Sequence, residues 1–304
     1  RAQMKIWEFA KVNGSSIKVD SWMSDTMGLV DGGYVYSTIF KHPAEGPKDY
    51  EIILSVFPQE NYRTLTHITM YLDDVPGSSA QAANFLASKE INILNSASLN
   101  GISDTVIVWK LMADMNFAGE VDILRDEFEA LKAKNDPSVS KIKRIDFKPA
   151  EIGRLFKGNM SGGKEELRRG YPSSIKNGCF DVADQYGDIL PDIDGKNVLI
   201  TMDADSWILS ITFFKEQTRL VKVGMEIPDC PGSITQALTV IADWNVNLIS
   251  VFSKVKICYE TMYLELVMDI CKSNKSFREI CDTLPAAMDE LNGIFLVKEL
   301  TELS

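Results

Sequence analysis

The stretch Asp229-Cys230-Pro231-Gly232-Ser233 is followed, fifteen residues after its glycine, by Val246-Asn247-Leu248. The same pattern stands earlier in the chain as Asp74-Val75-Pro76-Gly77-Ser78 and Ile91-Asn92-Ile93. The two stretches are 155 residues apart, and that offset holds without a gap from 53 to 98. It matches Ile53-Leu54-Ser55-Val56 with Ile208-Leu209-Ser210-Ile211, Leu65 with Leu220, and Gln81-Ala82 with Gln236-Ala237. Between 71 and 98, 9 of 28 positions are identical, which is too dense a run at one offset for chance. Upstream, Asp31-Gly32 matches Asp194-Gly195 at offset 163, which implies eight extra residues in the first copy around 41–50. Ser15-Ser16-Ile17-Lys18 matches Ser173-Ser174-Ile175-Lys176 at offset 158. A period this long reads as duplicated domains, not as a solenoid of short repeats.

Within each half, the C-terminal part reads β-α-β-β-α-β. In the first copy, 67–72 alternates as a strand. The Pro-Gly turn then opens a helix, because proline's fixed φ suits a helix start. Ala80, Ala83, Phe85, Leu86 and Ala87 make its expected apolar face. Strands are expected at 91–98 and 105–112 with a turn near Asn100-Gly101, a helix through Val121, Leu124, Phe128 and Leu131, and a strand at 139–147. The second copy repeats the order with strands at 220–227, 247–253, 261–268 and 293–300, and helices from Pro231 and from Ser276. This is the ferredoxin-like split βαβ order, with an antiparallel sheet, both helices on one face and the other face open. The segments before each module are β-rich, with strands at 34–40, 51–57, 198–202 and 208–213. The fold class is α+β and internally duplicated. The expected domains are a β-rich subdomain (1–64), a βαββαβ module (65–148), a linker plus second β-rich subdomain (149–218) and a second module (219–304). The stretch 149–174, which opens on Pro149 and is rich in Gly, Ser and Lys, reads as the connection.

Two D-x-P-G turns, each with Asn fifteen residues after the glycine and the same element order, resemble the ACT domain family. The resemblance covers about 65–148 and 219–304. It implies binding of a small molecule, usually an amino acid, between one domain's Pro-Gly turn and the paired domain's Asn. Carried onto this chain, the ligand-binding residues are Asp74, Val75, Pro76, Gly77, Ser78 and Asn92, with Asp229, Cys230, Pro231, Gly232, Ser233 and Asn247. The two copies of one chain could themselves form that pair. Elementary chemistry agrees with the site. A glycine lets a ligand approach backbone, and the first N–H groups of a helix lack intrahelical partners. The helix dipole there favours a carboxylate. Asp74 and Asp229 are placed to cap the helix or to take a ligand ammonium. The copies differ at Asp73/Pro228 and Val75/Cys230, so one site could bind while the other only supports the interface.

Composition narrows the rest. The chain has 304 residues, 45% hydrophobic and 25% charged, with a net charge of −11. That acidity gives no footprint for nucleic acid or an anionic membrane. No apolar run is long enough for a membrane span, and no secretory leader is visible, so the expected location is cytoplasmic. The five cysteines lie in the second half in an odd number with no C-x-x-C spacing, so they read as reduced thiols. Gly158-x-x-x-x-Gly163-Lys164 imitates a phosphate loop, but Glu165 replaces the required hydroxyl, which leaves a linker reading. Asp181, Asp184, Asp188, Asp192 and Asp194 do not have calcium-loop spacing and read as a solvated acidic loop. His42 and His67, the two histidines, are tied to no nucleophile by any motif. Cys230 is expected to pack as a small hydrophobe.

The expected function is an amino-acid-sensing regulatory protein with no catalytic residues, metal or cofactor of its own, homodimeric, and acting on a separate target enzyme. The alternatives are an enzyme with its active site in the β-rich modules and the ACT-like pair as effector domain, or a structural oligomerisation protein.

Overall fold

The computed structural model describes residues 7–58, 65–103, 105–149, 163–204 and 207–303. The first half contains β1 (Trp7–Lys11), β2 (Ser16–Lys18), helix α1 (Ser21–Thr26), β3 (Tyr34–Lys41) and β4 (Lys48–Ser55). The first module follows with β5 (Leu65–Asp73), α2 (Ser78–Ser88), β6 (Asn92–Ser103), β7 (Val106–Asp114), α3 (Val121–Ala133) and β8 (Ile142–Pro149). The second half has β9 (Glu165–Arg169), β10 (Ser173–Ser174), β11 (Cys179–Asp181), α4 (Ala183–Tyr186), β12 (Asn197–Asp203) and β13 (Ile208–Phe214). The second module has β14 (Leu220–Pro228), α5 (Ser233–Ala242), β15 (Asn247–Ile257), β16 (Thr261–Asp269), α6 (Phe277–Asp289) and β17 (Leu296–Glu302). The fold class is α+β.

The β-rich segments, expected as separate subdomains, share one antiparallel sheet. Its order is β1-β12-β13-β4-β3-β10, with β9 also on the β3 edge. β4 and β13 pair at its centre, Leu54 opposite Leu209. Each half's first strand crosses over: β1 pairs with β12, and β9 and β10 pair with β3. β2 and β11 form a separate small ladder, with Ile17 opposite Phe180. The bridge Asn13↔Ser16 recurs as Lys176↔Cys179. The register therefore follows offset 163 in this region, and the offset-158 match of Ser15–Lys18 with Ser173–Lys176 is not the one the fold uses. The segment read as a linker carries β9 and β10, because the unpaired edge of β3 offers them a ladder.

One face of the central sheet packs Ile52, Leu54, Val198, Ile200, Leu209 and Ile211 against Ile17, Met23, Phe180 and Tyr186. Tyr186 is fully buried, and its hydroxyl finds the Ser37 hydroxyl at 2.7 Å. Such a partner is what a buried phenol requires.

Each module has a four-stranded antiparallel sheet, β6-β7-β5-β8 and β15-β16-β14-β17, the ferredoxin-like order. The first core seats Phe85 of α2 edge-on to Phe128 of α3 at 5.7 Å over Ile68, Met70 and Leu111. Helix α2 buries Ala82, Phe85 and Leu86, whereas Ala80 and Ala87 are exposed, so its apolar face is rotated from the expected one. β6 runs on through Asn100-Gly101, where a turn was expected, and β8 begins at Ile142 because Pro137–Val139 forms a short 3-10 turn. The module faces opposite the helices are partly covered by this same chain. Leu65 and Leu94 pack with Phe40, Ile53 and Ile208 of the central sheet, and Lys222 lies over the Trp7 ring. No helix among the described residues is long and apolar enough to cross a membrane.

Candidate functional site

The Pro-Gly turns are built alike. Asp74 N–H donates to Thr105 O at 3.1 Å, and Asp229 N–H to Glu260 O at 3.1 Å. Gly77 and Gly232 then head α2 and α5 with φ of +85° and +92°. Only glycine enters that left-handed region without strain, which explains its place in both turns. Behind the glycines, Ser78 and Ser233 are buried. Ser78 Oγ donates to Val75 O at 3.0 Å, and Cys230 Sγ meets Ser233 Oγ at 3.1 Å. Neither helix has a side-chain cap. The expected capping by Asp74 or Asp229 is therefore absent; Asp229 Oδ2 instead accepts from Tyr259 N–H at 2.7 Å, bracing the β15–β16 turn. Cys230 is exposed rather than packed inside.

The two turns differ around the glycine. Lys141 Nζ donates to Pro76 O at 2.7 Å, and a Cβ on Gly77 would meet that nitrogen at 3.2 Å. The Gln81 amide joins the same corner, donating to Pro137 O and accepting from Lys141 N–H, both at 2.7 Å. Small-ligand clefts run to about 300–1,000 Å³, and one of about 590 Å³ runs from Gly77 past Gln81 and Phe85 to Lys89. At Gly232 a Cβ would meet nothing. Sequence reasoning missed Lys141, though the match of Gln81 with Gln236 was a signal that this helix face has a polar task.

Asn92 and Asn247 start β6 and β15, opposite Asp114 and Asp269, and both are exposed. Each is separated from its own module's glycine by helix α2 or α5, about 15 Å of helix. Residues of one turn and its own asparagine are therefore not brought together, and among the described residues no strand pair joins the two module sheets. Asn247 instead lines a cleft of about 450 Å³ walled by Ala44, Gly46 and Pro47 of the β3–β4 turn. Those wall residues belong to the expected eight-residue insertion. Lys215 fixes this wall, with its Nζ donating to the carbonyls of Pro43, Ala44 and Gly46 at 3.2, 2.6 and 2.6 Å. The cleft floor is the buried Asp269 carboxylate, which accepts from Arg219 N–H, Cys271 N–H and the Cys271 thiol. Burial, and then the adjacent carboxylate, push the Cys271 thiol up, so it stays protonated.

The remaining candidates resolve into structural roles. Of the phosphate-loop imitation, Gly163 and Lys164 are described and 158–162 lie outside the described residues. Lys164 Nζ pairs with Glu51 at 2.8 Å, and His42 Nε2 lies 3.0 Å from the same carboxylate, whose other oxygen accepts from Ser210. Burial alone would raise the Glu51 pKa; the His42 hydrogen bond and the Lys164 charge outweigh it and hold the carboxyl far below the usual range. The acidic run disperses: Asp181 accepts from Ser15 Oγ, Asp188 pairs with Arg168, and Asp194 accepts from Gly14 N–H. No group of three metal-ligating side chains occurs among the described residues.

No protein-family model matches the chain, and no curated protein does. Among solved structures it is similar to an unknown protein from Galdieria sulphuraria at 11% identity, over 79% of this chain and 99% of that one, with a TM-score of 0.24. It is similar to a candidate glycine cleavage system transcriptional repressor at 9% identity, over 79% and 98%, with a TM-score of 0.24. The small subunit of acetolactate synthase from Thermotoga maritima matches at 9% identity, over 78% and 92%, with a TM-score of 0.21. All three scores are low.

Proposed function

We propose that this chain is an amino-acid-binding regulatory protein built from two similar halves, each a β-rich segment (1–64, 149–218) followed by an ACT-like module (65–148, 219–304). The observation that carries the reading is the pair of glycine-headed, uncapped helix starts at Gly77 and Gly232. Each offers open first-turn N–H groups at the positive end of a helix, which suits a carboxylate. Asp74 and Asp229, beside them, suit a ligand ammonium; Val75, Pro76 and Ser78, with Cys230, Pro231 and Ser233, shape the turns. Asn92 and Asn247 complete the site from a neighbouring module. One module's turn and asparagine lie at opposite ends of its helix, so the neighbour is another module; because no strand pair among the described residues joins the two module sheets of one chain, we assign it to a second chain, with a homodimer as the working form. A ligand that prefers one arrangement of the dimer then shifts its population and signals to a separate target enzyme.

Thermal unfolding against each of the twenty amino acids tests this. A ligand at a hundred times its Kd adds about 2.7 kcal/mol. That raises Tm by roughly 5–10 °C for a unit the size of one half. One amino acid producing such a shift, lost in the Gly77→Val, Gly232→Val double variant, is the expected result. A flat panel, together with concentration-dependent assembly, favours a structural oligomer and defeats the sensor.

A further inference from the structure

The open face of the first module carries charge that no described residue of the chain neutralises. Strand register puts Lys148, His67, Met112 and Asn95 in one row across β8, β5, β7 and β6, and Thr69 and Lys110 in the next row. The β12–β13 turn overhangs this face through Ala204 and Trp207, enclosing a cleft of about 410 Å³. Among the described residues, neither Lys110 nor Lys148 has an ion-pair or hydrogen-bond partner, in a chain of net charge −11. Asp146, the nearest carboxylate on this face by register, is engaged by Arg144 Nε at 2.7 Å.

The second module shows what a neutralised version looks like. There Lys222 takes the position of His67, and it is paired with Glu265 at 3.1 Å and Glu299 at 2.9 Å under the Trp7 ring. Glu265 stands where the first module has Lys110. One face closes its charges internally; the other presents two cations and a histidine to a cavity. From strand spacing, the Lys110 and Lys148 Cα atoms are about 12 Å apart, within which two lysine side chains can converge on one ligand. Trp207, the aromatic wall, has φ +55°, a conformation costly for a bulky residue and found where surroundings impose it. Its ring is set in place by Phe57 at 5.4 Å.

We propose that this cleft binds a small, multiply charged anion, a phosphate ester or a di- or tricarboxylate, with Lys110 and Lys148 as its charge partners and Trp207 as its apolar wall. Ammonium–anion hydrogen bonds supply the affinity, and the Asn95 amide and a His67 ring N–H supply further donors at the rim. This site is independent of the amino-acid site, since it shares no residue with either Pro-Gly turn.

The test is a titration of the full chain, followed by tryptophan fluorescence and thermal unfolding, with sodium phosphate, adenosine monophosphate and sodium citrate. Sodium chloride at matched ionic strength is the baseline. A saturable response to at least one probe is expected, weakened about tenfold or more in Lys110→Gln and in Lys148→Gln. It should be unchanged in Lys176→Gln, which removes an equal charge elsewhere on the surface. Both cleft lysines are exposed, so the variants keep the wild-type Tm without anion. Binding of citrate alone identifies the carboxylate class, and binding of either phosphate probe alone the phosphate class. No response above chloride, or equal affinity in all three variants, overturns the site.

Discussion

Leu54 and Leu209 face each other across the central β4–β13 pair, and they are the residues that the 155-residue offset matches. Both are buried in the core shared by the two halves. Truncating either one to alanine should cost about 2–5 kcal/mol. Because the two touch one core, the double variant should lose less than the sum. Urea denaturation of the four proteins measures the coupling. Additive losses would mean that the two positions do not share a core.

Glu51 makes a second prediction. Its side chain is 11% exposed, and Lys164, at 10%, depends on it. Glu51→Gln removes the carboxylate that pairs with a buried ammonium and should cost about 3–5 kcal/mol. The folded pKa lies below the unfolded value of about 4.3. The carboxylate's contribution is therefore complete above that value and is lost as pH falls through the folded pKa. Wild type and Glu51→Gln should differ most in Tm near neutrality and converge in acid. A gap independent of pH would refute the ion-pair account.

The glycine turns make a graded pair. Gly77→Ala and Gly232→Ala each force a side chain into the left-handed region, at about 1–2 kcal/mol. Gly77→Ala also crowds the Lys141 ammonium and weakens its bond to Pro76, adding about 1 kcal/mol. Lys141→Ala should erase the difference between the two glycine variants. Equal costs in the wild-type background would show that Lys141 does not brace the turn.

Lys215 holds three carbonyls of the β3–β4 turn. Lys215→Met should cost about 1–3 kcal/mol. Hydrogen exchange should then speed up across 42–47, with the second half's core protection unchanged. Unaltered exchange in that turn would show that the lysine only decorates it.

The modules were legible because their signals are local. Alternation marks β5 and β14, and the Pro-Gly turns mark α2 and α5. The helix face was misjudged where alanines crowd together: Ala80, Ala82, Ala83 and Ala87 look alike in sequence, and only packing chooses Ala82. The shared sheet was not legible, since which edge β1 or β9 joins depends on partners far along the chain. Glu51 and Ser210 are 159 positions apart, and a lysine in a Gly/Ser-rich stretch gives no sign that it will be buried. Of the candidate site, the turns could be read but the clefts could not. Ala44, Gly46 and Pro47 wall the cleft at Asn247 from the other half, and Lys141 closes the one at Gly77 from 64 residues along the chain; nothing in a D-x-P-G pattern names what will stand beside it.

The exchanged strands also set a condition on biosynthesis. When the ribosome has delivered β4, the edge bearing Ile52, Ile53 and Leu54 has no partner until β13 emerges, some 150 residues later. At about 5–20 residues per second, the nascent chain carries that bare apolar edge for on the order of ten seconds. Unpaired edges are templates for wrong pairing. The early part of this protein must therefore be shielded during translation, and codon usage or chaperone access between residues 56 and 207 bears directly on its yield.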